Sequence, residues 1–328
     1  MQDRAARTRT GLDRAAPGDG VADPRVSVDF AHLRSFAGRA RVLSFLPRQP
    51  ARSVLNGRHA SRFRGRGLNF EELRGYSPGD DVRSIDWKVT ARTGEPHIRV
   101  FSEERDRPAL LVVDQRMSMF FGSRLNMKSV TAAETAALAA FRILDQGDRV
   151  GGIVFGDELI TEIRPQRSSK AVDLLLSAVS GANSLLSADA PTVAPIALNR
   201  PLEAVARIAK RDHLVIIVSD FDGVDARTER LLGGLSRHND VLVCLVTDPI
   251  AEEIPSGLKI VVSDGELQAE IDTGADVTRR ALSEFSSGRL AQIQDGTRRY
   301  GIPVLPLSSG EETLPQIRRF FGHAQVHR

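Results

Sequence analysis

Two groups of oxygen-bearing side chains stand out in this chain. In the first, Asp114 and Ser118 follow the apolar run ALLVVD (109–114), while Ser219, Asp220, Asp222 and Asp225 follow HLVIIVSD (213–220) in the segment SDFDGVD. Carboxylates and hydroxyls gathered where apolar runs end suit a hard divalent cation such as Mg²⁺ or Mn²⁺, which takes oxygen ligands and retains waters. The second group, Asp80, Asp81, Asp86 and Lys88, lies in SPGDDVRSIDWK. A carboxylate pair with a nearby D-x-K is the kind of set that metal-dependent nucleases use to activate water. Here it is compressed into one short segment, and the structural reading is favoured: Asp80 and Asp81 close a turn after Pro78-Gly79 and pair with Arg83, Arg74 or Arg92. Trp87 beside them reads as a core or interdomain anchor.

Other chemistries lack their residues. No GxxxxGK[ST] loop follows a predicted strand and no GxGxxG follows the first one, so a nucleotide has no phosphate cradle. The seven histidines are scattered without zinc-ligand spacing, and no GxSxG elbow presents a serine nucleophile. Met117, Met119, Phe120 and Phe121 are odd beside a polar site; core packing is the favoured role, and an apolar rim that grips a partner is the alternative.

The elements that must position these groups emerge at Pro108. Short runs apolar on both faces (109–114, 148–157, 213–220, 240–248, 302–307) alternate with helical patterns at 125–144, 168–179, 201–210, 225–236, 277–300 and 311–321. Such alternation marks a mostly parallel sheet covered on both sides, and right-handed crossovers make it doubly wound. Ligands then bind beyond the carboxyl ends of the strands, here Asp114, Ser219-Asp220 and Thr247-Asp248. ELITEIRP (158–165) pairs as a hairpin with the run before it, and LKIVVSDG with ELQAEID forms another near 258–272. Upstream, residues 1–24 read as a disordered tail. One or two short helices fall between Ser27 and Leu46, with Asp29 as a start signal. Residues 62–104 are broken by Gly and Pro into an irregular or β-rich module rather than helices.

Composition bounds the rest. Hydrophobic residues at 41% and charged residues at 27% are ordinary for a soluble globular chain. No apolar stretch is long enough to span a membrane. Cys244, the lone cysteine, has no partner for an internal disulfide, which fits a reducing compartment and a cytoplasmic location. Residues 1–66 hold 14 Arg against 5 Asp. Arg58, Arg62, Arg64 and Arg66 suit nucleic acid, an anionic membrane surface or an acidic protein face; a solvated helix face running into a tail serves equally, because no aromatics interleave them.

LLVVDQRMSM resembles the first strand and loop of a von Willebrand factor A domain, whose metal-ion-dependent adhesion site begins D-x-S-x-S, and VIIVSDFDG is similar to the strand carrying its second aspartate. GYSPGDDVRSIDWKVTAR, with GRGLNFEELR before it, resembles domain of unknown function 58, whose von Willebrand factor A-like members accompany MoxR-type AAA+ ATPases. TDPIAEEIP, the SDGE turn and RRYGIPVLPLSSGEETLPQIRRFF extend the likeness over nearly all of the chain after residue 50. The resemblance assigns Asp114, Ser118 and Asp220 to the metal site. It also brings out a departure: Arg116 stands where the first serine belongs, and a guanidinium is always positive. Either Arg116 turns to solvent and leaves a weakened site for Mg²⁺ or Mn²⁺, or its charge replaces the ion by pairing with Asp114 and Asp220. The threonine that completes such sites has no clear match; Thr192 and Ser184 are the candidates.

The expected architecture is therefore α/β: a 25–107 module carrying Gly79, Asp80, Asp81, Arg83, Asp86, Trp87 and Arg92, a doubly wound domain over 108–322, and a short tail at 323–328. The expected function is a non-enzymatic adaptor or chaperone-like factor that works with a MoxR-type AAA+ ATPase on a client protein, binding through Asp114, Arg116, Ser118, Asp220 and Asp222. The alternative is a metal-dependent, nuclease-like hydrolase acting on nucleic acid.

Overall fold

A computed structural model of the chain describes residues 23–43, 68–78, 80–103, 108–187, 194–251, 259–263, 268–272, 291 and 293–321. The chain divides into two compact units, Arg48–Asp106 and the remainder.

The larger unit is built on a six-stranded sheet. Its strands are β3 (Pro108–Asp114), β4 (Arg149–Phe155), β5 (Ile160–Gln166), β6 (Leu214–Ser219), β7 (Asp240–Thr247) and β10 (Val304–Ser308), in the order β10-β7-β6-β3-β4-β5. All pairings are parallel except β4 with β5, the expected hairpin. The chain starts this sheet at β3, adds β4 and β5 to one side, then returns to place β6 on the other. The order of winding therefore reverses between β3 and β6. In a doubly wound sheet this reversal opens a crevice beyond the strand ends.

Strand residues alternate between two cores because successive side chains leave a strand on opposite faces. Ala109, Leu111 and Val113 enter one core, and Leu110 and Val112 the other. Helices α3 (Lys128–Asp145), α4 (Ser169–Ser184) and α8 (Thr313–Phe321) contribute to the first core, and α5 (Asn199–Ile208), α6 (Ala226–Ser236) and α7 (293–299) to the second. The Ala-rich α3 is buried along most of its length, as its small side chains and good helix propensity allow. At Gly152 an added Cβ would lie 2.6 Å from the Leu111 carbonyl oxygen and 2.7 Å from Leu175 Cδ1, so the close approach of α4 to β4 requires glycine there. Strands β8 (Lys259–Ser263) and β9 (Gln268–Asp272) form the second expected hairpin.

The single module expected over 25–107 is divided. Helix α1 (Phe30–Arg34), capped by Asp29 as anticipated, sends Leu33 into the first core together with Val28, Phe36, Ala40 and Leu43. These apolar side chains belong to the larger unit because α3 and α4 cover them. The smaller unit pairs β1 (Leu68–Gly75) with β2 (His97–Glu103) antiparallel. Between them lies a helix that the Gly and Pro spacing concealed: α2 (Trp87–Thr93), started by the Asp86 side chain and stopped by Gly94 at φ 80°. Gly79, Thr192, Arg58, Arg62, Arg64 and Arg66 lie outside the described residues, as do 1–22 and 322–328. No described helix is long and apolar enough to cross a membrane.

Candidate functional site

Strands β3 and β6 run side by side, with Val113 opposite Val218, so the residues that follow each emerge at one rim of the sheet. Asp114 ends β3 and is fully buried. Arg116, two residues on, folds back onto it: Nε donates to Asp114 Oδ1 at 3.0 Å and Nη2 to Oδ2 at 2.7 Å. The Arg116 backbone N–H adds a 3.0 Å bond to Oδ1, and Ser219 Oγ, at the end of β6, donates to Oδ2 at 2.6 Å. Arg116 is itself only 2% exposed, with its guanidinium carbon 5.5 Å from the centre of the Phe155 ring. A buried guanidinium demands such partners, because an unpaired charge in a dry interior is far too costly to retain.

Asp220 is held by a second cation. Lys128 Nζ donates to its Oδ2 at 2.7 Å, while the Asp222 backbone N–H donates to Oδ1 at 2.9 Å and Ser118 Oγ to the same atom at 3.4 Å. Arg116 Nη2 stands 3.9 Å from Asp220 Oδ1 and so links the two pairs. The turn that aims Asp220 passes through Phe221 at φ 57°, a left-handed conformation uncommon for a bulky residue, with the Phe221 N–H donating to Ser219 Oγ at 2.8 Å. The ring is fully buried in the second core, and that packing offsets the backbone strain.

The electrostatics follow from this arrangement. Burial pushes the Asp114 carboxyl up, against the pull of Arg116 and the Ser219 hydrogen bond. Burial works to lower Arg116, but the Asp114 and Asp220 carboxylates overcome it and raise the guanidinium further. At Asp220 burial acts upward, yet Lys128, the Asp222 N–H and Arg116 together hold the carboxyl below its ordinary value.

These donors do not fit a divalent ion. Each oxygen of Asp114 already accepts from Arg116, and each oxygen of Asp220 accepts from Lys128, Ser118 or Asp222. Two cationic side chains sit beside the two carboxylates, so a metal ion would have to displace a buried guanidinium already paired with Asp114. Of the two arrangements left open by the sequence, the structure adopts the one in which Arg116 pairs inward. Ser184, a candidate for the missing threonine, is exposed on α4 and donates instead to the Gly181 carbonyl oxygen.

Several expected participants do other work. Asp225 caps α6, accepting from Arg227 N and Thr228 N, and is held by Asn199. Asp248, at the end of β7, ties loops together by accepting from Ser123 N at 2.9 Å and Ser309 Oγ at 2.5 Å. Met119 is fully buried, whereas Met117 and Phe121 are exposed, so the loop after β3 divides between core and rim. Sequence reasoning missed Lys128 and Asp157. The latter follows β4 and accepts from the Met117 N–H at 3.0 Å; burial pushes its carboxyl up, and its Oδ1 has no hydrogen-bond partner.

In the smaller unit the acidic cluster is held by local hydrogen bonds. Asp80 receives both terminal nitrogens of Arg74, at 2.9 and 2.8 Å, and the Ser77 N–H. Asp81 accepts from the Arg83 N–H, and Asp86 from the N–H groups of Lys88 and Val89. Trp87 corrects the expectation of a core residue: it stands at the first helical position after the Asp86 cap and is 69% exposed.

A model of the family described as "Protein of unknown function DUF58" matches residues 72–289. Uncharacterized protein Rv1480 of Mycobacterium tuberculosis is 29% identical over 285 residues, which is 87% of this chain and 88% of that relative; uncharacterized protein Mb1516 of Mycobacterium bovis matches to the same extent. Similar solved structures include BatB from Bacteroides thetaiotaomicron (14% identity, TM-score 0.35, 60% of this chain and 98% of that one). Another is a von Willebrand factor type A protein from Catenulispora acidiphila (16% identity, TM-score 0.29, 58% of this chain and 44% of that one).

Proposed function

We propose that this chain, which belongs to the DUF58 family of proteins of unknown function, binds other proteins and catalyses no reaction. The observation that carries this reading is the closed set Asp114–Arg116 and Asp220–Lys128 where β3 and β6 end. Catalysis needs a base, nucleophile or electrophile free to engage substrate. Here both carboxylates are neutralised internally, and Arg116 is buried beneath the rim. What the loop after β3 presents outward is Met117 and Phe121, with Ser118 partly accessible between them. Apolar side chains beside a rigid polar base make a recognition surface that needs no metal.

In this reading the partner is a MoxR-type AAA+ ATPase, the chain acts as its adaptor or chaperone-like factor for a client protein, and both work in the cytoplasm. The family resemblance supports that partner, and the lone buried Cys244 is compatible with a reducing compartment. The test is reconstitution of the full chain with the MoxR-type ATPase, with and without ATP. A complex that Met117→Asp or Phe121→Asp weakens at least tenfold is expected. A folded chain that forms no complex in either nucleotide state overturns the partner assignment.

A further inference from the structure

We infer that the outer face of helix α2 is a docking site for an acidic segment of a partner protein carrying an apolar anchor residue. This inference does not depend on the reading given to Asp114, Arg116 and Asp220.

Three observations converge on it. Trp87 is 69% exposed and Val82, in the turn just before α2, is 59% exposed. A large aromatic held out in water on a short, doubly capped helix keeps its apolar area unburied and is the side chain most enriched among binding hot spots. Next, Lys88 and Arg92 stand four residues apart on α2, both exposed, so like charges face each other on neighbouring turns. Such a pair destabilises a helix slightly unless a counter-ion comes from elsewhere. Arg92 gains from the helix C-terminus; Lys88, near the N-terminus, does not.

The acidic residues in this segment do not supply the counter-ion. Asp80 is engaged by Arg74, Asp81 by the Arg83 N–H, and Asp86 by backbone N–H groups, while Glu95 lies beyond the Gly94 cap. Among the described residues, Arg83, Lys88 and Arg92 make no ion pair with any of them. The segment's carboxylates are thus held by Arg74 and by backbone N–H groups, while Arg83, Lys88 and Arg92 are exposed on the same short segment as Trp87. Charge complementarity selects an acidic occupant, and Trp87 with Val82 selects one bearing a Leu, Ile or Phe. Nucleic acid is the weaker match, because sequence-tolerant strand binding stacks successive bases on several aromatics, and Trp87 is the one exposed aromatic among the described side chains of this unit.

The chain has one tryptophan, so its fluorescence reports on this site alone. The full chain is titrated with a panel of labelled acidic peptides in which single Leu, Ile or Phe residues are spaced among Glu and Asp. Charge-inverted Lys peptides and oligothymidylate serve as comparators. At least one acidic peptide is expected to bind saturably and shift the Trp87 emission to the blue. In Lys88→Glu/Arg92→Glu its affinity should fall about tenfold, with the Lys peptides gaining. Circular dichroism confirms folding, and Lys88→Gln/Arg92→Gln replaces the double reversal if that variant does not fold. The inference is overturned if no acidic peptide binds, if Lys peptides bind the wild type equally well, or if oligothymidylate displaces the acidic peptide.

Discussion

Arg116 and Asp114 lie two residues apart and meet through two parallel hydrogen bonds at 3.0 and 2.7 Å, with both side chains withdrawn from water. The pair is geometrically fixed because the Arg116 N–H and Ser219 Oγ occupy the remaining acceptor directions of Asp114. Removing Arg116 leaves a buried carboxyl without its counter-ion. Arg116→Ala is therefore expected to destabilise the larger unit by about 3–5 kcal/mol, read from urea unfolding. A loss below ~1 kcal/mol would show that the carboxylate reaches water or another donor.

The same pair sets the response to metal. Wild-type thermal unfolding should be unmoved by millimolar Mg²⁺ or Mn²⁺, because Arg116 and Lys128 already neutralise Asp114 and Asp220. Arg116→Ser opens the position and supplies a hydroxyl, so its unfolding temperature should rise with added ion. Calorimetric binding of Mn²⁺ by the wild type at micromolar affinity, lost in Asp220→Ala, would refute the inward-paired arrangement.

Acid should weaken the fold in part through Asp220. Its carboxyl in the folded chain lies below the ordinary value of 3.8, so the ionised form stabilises the structure. That contribution is fully present above the ordinary value and is lost as pH falls through the lower folded one. Asp114, raised by burial, acts with the opposite sign. The stability difference between wild type and Asp220→Asn should therefore be constant near neutrality and shrink below about pH 4; a difference that does not change with pH contradicts the Lys128 pairing.

Cys244 lies in β7 with no exposed surface, and burial pushes its thiol up to about 12. Thiolate is the reactive form, so native protein should resist a soluble disulfide reagent and react fully only in denaturant. Rapid labelling of the folded chain would show that β7 opens locally.

Asp86→Ala tests the nuclease alternative directly. Loss of the α2 cap should cost about 1 kcal/mol of stability in the smaller unit. Nicking of supercoiled plasmid in Mg²⁺ or Mn²⁺ should be absent from the wild type and the variant alike. Activity that disappears with Asp86 would restore the hydrolase reading.

The parts of the site legible in the sequence were those that end a strand. Asp114 and Asp220 each close a run apolar on both faces, and such runs are short parallel strands whose carboxyl ends share a rim. Lys128 gave no such signal. It opens a helix, where the dipole disfavours a cation, and only the fold brings it within 2.7 Å of Asp220. Asp157 was hidden in a hairpin turn. Trp87 misled as a core residue because its size argues for burial, whereas it stands 69% exposed at the start of α2.

Local pattern by itself determined the layered α/β architecture and which aspartates stand at the strand ends, because side-chain periodicity and strand polarity are properties of neighbouring residues. Whether those aspartates meet a metal or a guanidinium was decided only in three dimensions. Arg116 has the reach to turn either way, and it is the convergence of β3, β6 and the start of α3 that holds it inward among buried groups, where an unpaired charge could not persist.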